Sequence, residues 1–257
     1  MSKQITSRDN PLFKRLKKLA DSARERRLAG QTLLDGTHLL QAYADSGGIP
    51  ATLLLQEGVH TSEMTALLQQ FAAVMQVALP AALFAELSPV ATPSGLLALV
   101  DIPHHPLPPS PQFGLLLEDL QDPGNLGSVL RSAAAAGVDA VWLSKGCADA
   151  WSPKALRGGQ GAHFVLPIIE RVELAVVAAS FPGQALAACL QGVPLFDLDL
   201  RGPAAFIIGN EGAGLSAPLL ESASLRFTIP MAGKVESLNA AAAAAVCLFE
   251  KVRQVRR

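Results

Sequence analysis

The chain has 257 residues, of which 50% are hydrophobic and 17% charged. That is enough apolar side chain for a sizeable core and too much for wholesale disorder. A net charge of −1 excludes a surface that is basic all over, and the longest apolar run, Ala240 to Phe249, falls well short of the roughly 20 residues of a membrane-spanning helix.

The first 30 residues carry nine Lys/Arg against three acids, a local charge of +6 that leaves −7 for the rest. A helix is predicted here, capped by Asp9 or Asn10 and opened by Pro11, with Leu12, Leu16, Leu19 and Ala23 on one face. Its other face carries Lys14, Arg15, Lys17 and Lys18, followed by Arg24, Arg26 and Arg27. Such an arm is either a phosphate-binding footprint or a solvated helix face, and charge alone supports both. Lys251, Arg253, Arg256 and Arg257 make a second basic spot.

Strands are then predicted at 32–34, 52–55, 74–79 and 96–100, alternating with helices near 37–45, 61–72 and 80–87, a small α/β layer. Prolines at 103, 106, 108, 109 and 111 exclude helix and central strand, so 103–111 is an extended linker between parts 1–102 and 112–257. The second part alternates more regularly, with strands expected at 114–118, 140–144, 164–167, 184–187, 204–208 and 225–229, and a closing helix over 237–255. Continuous apolar strands suit a parallel sheet covered on both faces, which places ligands at the carboxyl ends of its strands.

Three loops there carry unusual residues. After 114–118, Pro123-Gly124 makes a turn and Asn125 can cap the next helix; Arg131 follows in an apolar run. A guanidinium in that setting needs a polar partner, and an ion pair with Glu118 or Asp119 would supply one. After 204–208 comes Gly209-Asn210-Glu211-Gly212-Ala213-Gly214, which permits close backbone approach to a ligand. After 225–229 comes Met231 to Asn239, with Ser237 or Glu236 as helix cap. No GxGxxG follows the first strand of the second part and no GxxxxGK[ST] occurs, which argues against a nucleotide-dependent metabolic enzyme. The five histidines and three cysteines show no ligand spacing, so no metal is expected. The polar N-terminus MSKQITSRDN has no apolar signal region, and a cytoplasmic location is expected.

Together the loops read N-x-G-x-x-x-R, I-G-N-E-G-x-G-L-S and I-P-M-x-G-x-x-x-S-L-N. In order, spacing and context this closely resembles the SpoU/TrmH-type RNA ribose methyltransferases of the SPOUT class. The resemblance implies an α/β fold: a C-terminal SPOUT domain with a parallel sheet and deep trefoil knot, preceded by a smaller α/β domain similar to ribosomal protein L30e. It implies S-adenosylmethionine bound at Gly209, Ile229, Met231 and Leu238, and catalytic positions at Asn125, Arg131, Glu211, Ser237 and Asn239. It further implies a homodimer acting on an RNA ribose 2′-hydroxyl, ribosomal RNA being favoured over transfer RNA; a catalytically inactive RNA-binding relative is the alternative. Gly158-Gly159-Gln160-Gly161 departs from the family's usual small Ala/Ser stretch, in a loop expected near substrate.

Overall fold

A computed structural model describes residues 2–88, 90, 93–210, 212–234 and 237–256. The chain forms two compact units, Met1–Pro103 with Trp151–Phe164, and His104–Ala150 with Val165–Arg257.

The first unit opens with β1 (Ser2–Gln4), then α1 (Pro11–Asp21) and α2 (Ala23–Ala29). The Asn10 side chain accepts from the backbone N–H groups of Leu12 and Phe13, capping α1 as expected, and Pro11 occupies its first turn. Phe13, Leu16 and Leu19 are buried on its inner face. The helix ends before Ala23, because the Ser22 hydroxyl accepts from the Glu25 N–H and starts α2. There follow β2 (Gln31–Asp35), α3 (Thr37–Asp45), β3 (Thr52–Gln56), α4 (Ser62–Gln70), β4 (Met75–Leu79), α5 (Ala81–Leu87) and β5 (Leu96–Asp101).

The sheet order is β1-β4-β3-β5-β2, parallel from β1 to β3 and antiparallel at β5. Phe84, Leu54, Val77 and Leu97 join the inner face of α1 in its core. Three residues of β1, polar and short, left no period-two pattern to read.

In the second unit lie β6 (Phe113–Leu117), α6 (Pro123–Ala136) and β7 (Ala140–Leu143). Next in sequence, α7 (Pro153–Gly159) belongs to the first unit. There the Thr32 hydroxyl donates to the Trp151 carbonyl over 2.8 Å, and Phe164 stacks edge-on against Tyr43. Gly161 has φ +93°, and a Cβ on it would come within 2.7 Å of the Ala42 side chain. The glycines that depart from the family pattern thus include one demanded by packing. Residues 162–164 form a 3-10 turn, so the strand expected over 164–167 is reduced to β8 (Ile168–Ile169).

The second unit is completed by α8 (Leu174–Ser180), β9 (Gln184–Pro194), β10 (Ala204–Ile208), α9 (Ala217–Ser222), β11 (Leu225–Thr228) and α10 (Ala240–Val255). Its sheet is parallel throughout, in the order β11-β9-β10-β6-β7-β8. Every residue of β6 and β10 is buried, as continuous apolar runs require. The chain leaves β6 toward β7 and β8, then returns on the other side, so strand order reverses at the β6–β10 pair. That reversal is where a parallel sheet opens a crevice at its carboxyl edge. Helices α6 and α10 pack together, with Gly127, Ala133, Ala240 and Ala244 buried. No described helix is long and apolar enough to cross a membrane.

Candidate functional site

Three loops leave the carboxyl edge at β6, β10 and β11. In the first, the Asp122 side chain accepts from the Asn125 N–H at 2.8 Å and caps α6, placing Asn125 inside the first turn rather than at the cap. In the third, Asn239 caps α10, its Oδ1 accepting from the Ala241 N–H at 2.9 Å. The closing helix therefore begins at Ala240, not at Ser237. Freed from the cap, the Asn125 side chain meets the third loop: Asn239 Nδ2 donates to Asn125 Oδ1 over 3.2 Å. Residues 114 positions apart, each reading as an ordinary helix start, are thereby joined.

The second loop closes on itself. Asn210 Oδ1 accepts from the Gly212 and Ala213 N–H groups, and the Asn210 carbonyl accepts from Gly214. Gly214 supplies the positive φ, +70°, that this turn requires. Gly209 is needed for another reason: a Cβ there would collide with the Gly214 carbonyl. Its smallness serves the loop's own backbone, where sequence had suggested only close approach to a ligand.

Between the second and third loops and the end of β9 is a cavity of about 990 Å³. Gly209, Ile229, Met231 and Leu238, the expected cofactor positions, all line it, as does Ser237. Asn125, Arg131 and Asn239 stand outside that lining; Glu211 lies outside the described residues. The wall from β9, including Cys189, Leu190 and Gln191, was missed by sequence reading. Its signal was only the strand's place beside β10, which local pattern does not reveal. None of the described lining residues is charged. Leu190 is 73% exposed and Met231 and Leu238 each 37%, an apolar surface of the kind that marks a binding groove. Burial pushes the Cys189 thiol above its ordinary value. Among the described residues no group of three His, Cys, Asp or Glu side chains could hold a metal.

Arg131 is exposed on α6, and among the described residues no hydrogen bond or ion pair holds it. The partners expected for it are engaged elsewhere: Glu118 accepts from Ser216, and Asp119 Oδ1 accepts from the Ser144 hydroxyl at 2.6 Å.

The basic arm divides. Lys14, Arg15, Lys18, Arg24 and Arg27 are exposed, and Lys17 is half-buried, bonded to Asp21 and to the Glu86 carbonyl. Lys14 pairs with Asp9 and Arg15 donates to Gln31. Arg26 must be removed from any nucleic-acid-facing set, since it is only 4% exposed and donates to the Leu19 and Ala20 carbonyls at 2.5 and 3.0 Å. It satisfies the carbonyls that α1 leaves open at its end. The second basic spot is similarly depleted, with Lys251 buried on the Leu200 and Gly202 carbonyls and Arg253 paired to Glu250.

Comparison with known proteins agrees with this architecture. Residues 112–249 match the SpoU rRNA Methylase family and residues 10–98 the MRM3-like substrate binding domain. The chain is 37% identical to an uncharacterized tRNA/rRNA methyltransferase of Synechocystis, over 97% of this chain and 93% of that protein. It is 35% identical to the 23S rRNA (guanosine(2553)-2′-O)-methyltransferase of Bacillus subtilis, over 96% of this chain and 98% of that one. Its fold superimposes on the SpoU methyltransferase AviRb from Streptomyces viridochromogenes, solved in complex with the cofactor AdoMet, with a TM-score of 0.82 and 30% identity, covering 95% of this chain and 98% of that one. With the three loops gathered at one edge of a parallel sheet and more than half its length matched, the chain belongs to the SpoU rRNA methylase family.

Proposed function

We propose that this protein methylates a ribose 2′-hydroxyl of RNA with S-adenosylmethionine, and that its substrate is ribosomal RNA. The observation that carries the reading is the Asn125–Asn239 bond beside a cavity lined by Gly209, Ile229, Met231 and Leu238. The lining fits the cofactor: its described residues are uncharged, and Ile229, Met231 and Leu238 offer apolar walls to an adenine, in a volume suited to a small-molecule ligand. When bound, S-adenosylmethionine supplies a methyl group on a positively charged sulfur. The residues of the chain then align the acceptor with it.

Arg131, exposed and without a partner among the described residues, is available to RNA. A guanidinium stays protonated, so its role is to hold the hydroxyl and a neighbouring phosphate through its planar fork rather than to remove a proton. Asn125 and Asn239 orient that region; Ser237 on the cavity wall and Glu211 complete the polar set. Alignment of this kind is a large part of the rate gain in group transfer. The exposed residues Lys14, Arg15, Lys18, Arg24 and Arg27, with Lys17, grip phosphates. We assign the protein to the cytoplasm, as a homodimer whose C-terminal domain carries the trefoil knot of its family.

Two measurements test the proposal. Calorimetric titration should show S-adenosylmethionine binding to the intact chain. Mapping of 2′-O-methylation in total RNA, with and without the protein, should reveal a position in ribosomal RNA that is lost without it. Binding of RNA with no lost methyl mark would leave an inactive RNA-binding relative, and a lost mark confined to transfer RNA would correct the substrate.

A further inference from the structure

The glycine-rich loop after β10 is organised internally, yet something must aim it. Two hydrogen-bonded anchors do so among the described residues, and both reach the same corner after β6. At one end, Asn210 Nδ2 donates to the Asp119 carbonyl over 3.0 Å. At the other, Glu118 takes both donors of Ser216: the backbone N–H at 2.7 Å on Oε2 and the hydroxyl at 2.6 Å on Oε1. Because Leu117 and Ile208 are register partners in adjacent strands, residues 118 and 209 start from the same level of the sheet. The corner itself is held tightly. Asp119 has φ +52°, an unusual conformation for a non-glycine residue, and the Ser144 hydroxyl both accepts from its N–H at 2.9 Å and donates to its carboxylate.

We infer that Glu118 is a positioning residue for the cofactor cavity: by gripping Ser216 with both carboxylate oxygens it fixes the β10 loop, and with it the cavity wall made by Gly209, Asn210, Gly214 and Leu215. Glu118 does not line the cavity and acts only through the loop. A carboxylate accepts from the backbone N–H and the hydroxyl at once, and both bonds gain from its charge. A glutamine would accept the backbone N–H with its single carbonyl oxygen, and its NH₂ would meet the Ser216 hydroxyl only by turning that hydroxyl into an acceptor, so two charge-assisted bonds become neutral ones. This inference rests on the proposal that the cavity holds S-adenosylmethionine.

The test is a calorimetric titration of S-adenosylmethionine into the full chain, wild type against Glu118→Gln and Ser216→Ala, with hydrogen exchange read at the Ser216 amide. Glu118→Gln is expected to weaken the cofactor about tenfold, the scale of a hydrogen bond to a charged group, while accelerating exchange at Ser216. It should raise the KM for S-adenosylmethionine more than it lowers kcat, and RNA affinity should hold. Ser216→Ala, which keeps the backbone anchor, should weaken the cofactor less, and the double variant should be no worse than Glu118→Gln alone. A purely structural Glu118 would instead lower the thermal midpoint and move kcat and KM together. Unchanged cofactor affinity in both single variants overturns the inference and leaves the proposed function standing. If Glu118→Gln does not fold, the Ser216→Ala titration decides. A wild-type chain that binds no S-adenosylmethionine overturns the function, and this inference with it.

Discussion

Two arginines, one in each unit, exchange the places their neighbourhoods suggest. Arg26 lies in a run of charge and should be solvated, yet it is buried and bonded to the carbonyls of Leu19 and Ala20. Arg131 lies among alanine, valine and leucine and should need an internal partner, yet it is exposed. The difference lies in what each helix end leaves unsatisfied. Helix α1 stops at Ser22 and turns at once into α2, so its last carbonyls need a donor that the neighbouring helix can offer. Helix α6 is capped at both ends, by Asp122 and by Gly137 at φ +78°, and asks nothing of Arg131. Surplus charge is therefore free for function only where the backbone has already been satisfied.

The largest effect should follow from breaking the Arg131 half of this contrast. Arg131→Ala is expected to fold with an unchanged denaturation midpoint but to transfer methyl about 10²–10³ times more slowly, the scale for removing one well-placed charged group from a transition state. Arg131→Lys should be nearly as slow in the same single-turnover assay, since lysine keeps the charge and loses the fork. Loss of folded protein in either variant would return Arg131 to a structural role.

The mirror experiment is Arg26→Ala, expected to cost roughly 2 kcal/mol in equilibrium denaturation because it strands two carbonyl acceptors. The variant that remains folded should bind RNA with the wild-type salt dependence. A flatter salt slope at unchanged stability would put Arg26 back on the nucleic-acid face.

The exposed set gives a graded response. Reversing Lys14, Arg15 and Lys18 should lower the log–log slope of RNA affinity against salt by about 0.7–0.9 for each phosphate no longer neutralised. Cofactor affinity should not change. An unaltered slope would make this face a solvated surface, with its ion pair from Lys14 to Asp9 a bystander.

The smallest effect concerns the thiols. Burial pushes the Cys247 thiol up to about 12, so it should resist alkylation at pH 8 in the native protein. Cys189, on the cavity wall and less deeply buried, should be labelled first, with S-adenosylmethionine slowing it; mass spectrometry of timed adducts reads both. Labelling of Cys189 that ignores the cofactor would move the ligand away from the β9 wall.

Strands β6, β7 and β10 were legible because burial on both faces leaves an unmistakable mark, and β10 runs from Ala204 to Ile208 as expected. The family resemblance, and not local pattern, singled out Gly209, Ile229, Met231 and Leu238, and they line one cavity because each of their loops follows a strand directly. Two features were not. The segment 151–164 reads as part of the second domain by position, and only its packing against Thr32, Ala42 and Tyr43 places it in the first unit. The caps of α6 and α10 were off by two or three residues because Asp122, Asn125, Ser237 and Asn239 are all competent cap residues, and local chemistry does not rank them.

From its amino acids alone this protein determined its two-part α/β organisation, its parallel second sheet and the three loops where its chemistry belongs. Those are local properties: apolar runs, prolines and glycines act on the few residues around them. Tertiary structure alone decided which polar side chains are spent on the fold and which remain available. Asn125 meets Asn239, Glu118 grips Ser216 and Arg26 disappears into a helix junction because chain segments that are far apart compete for the same donors and acceptors. That competition is settled only once the backbone has been packed and its own hydrogen bonds counted.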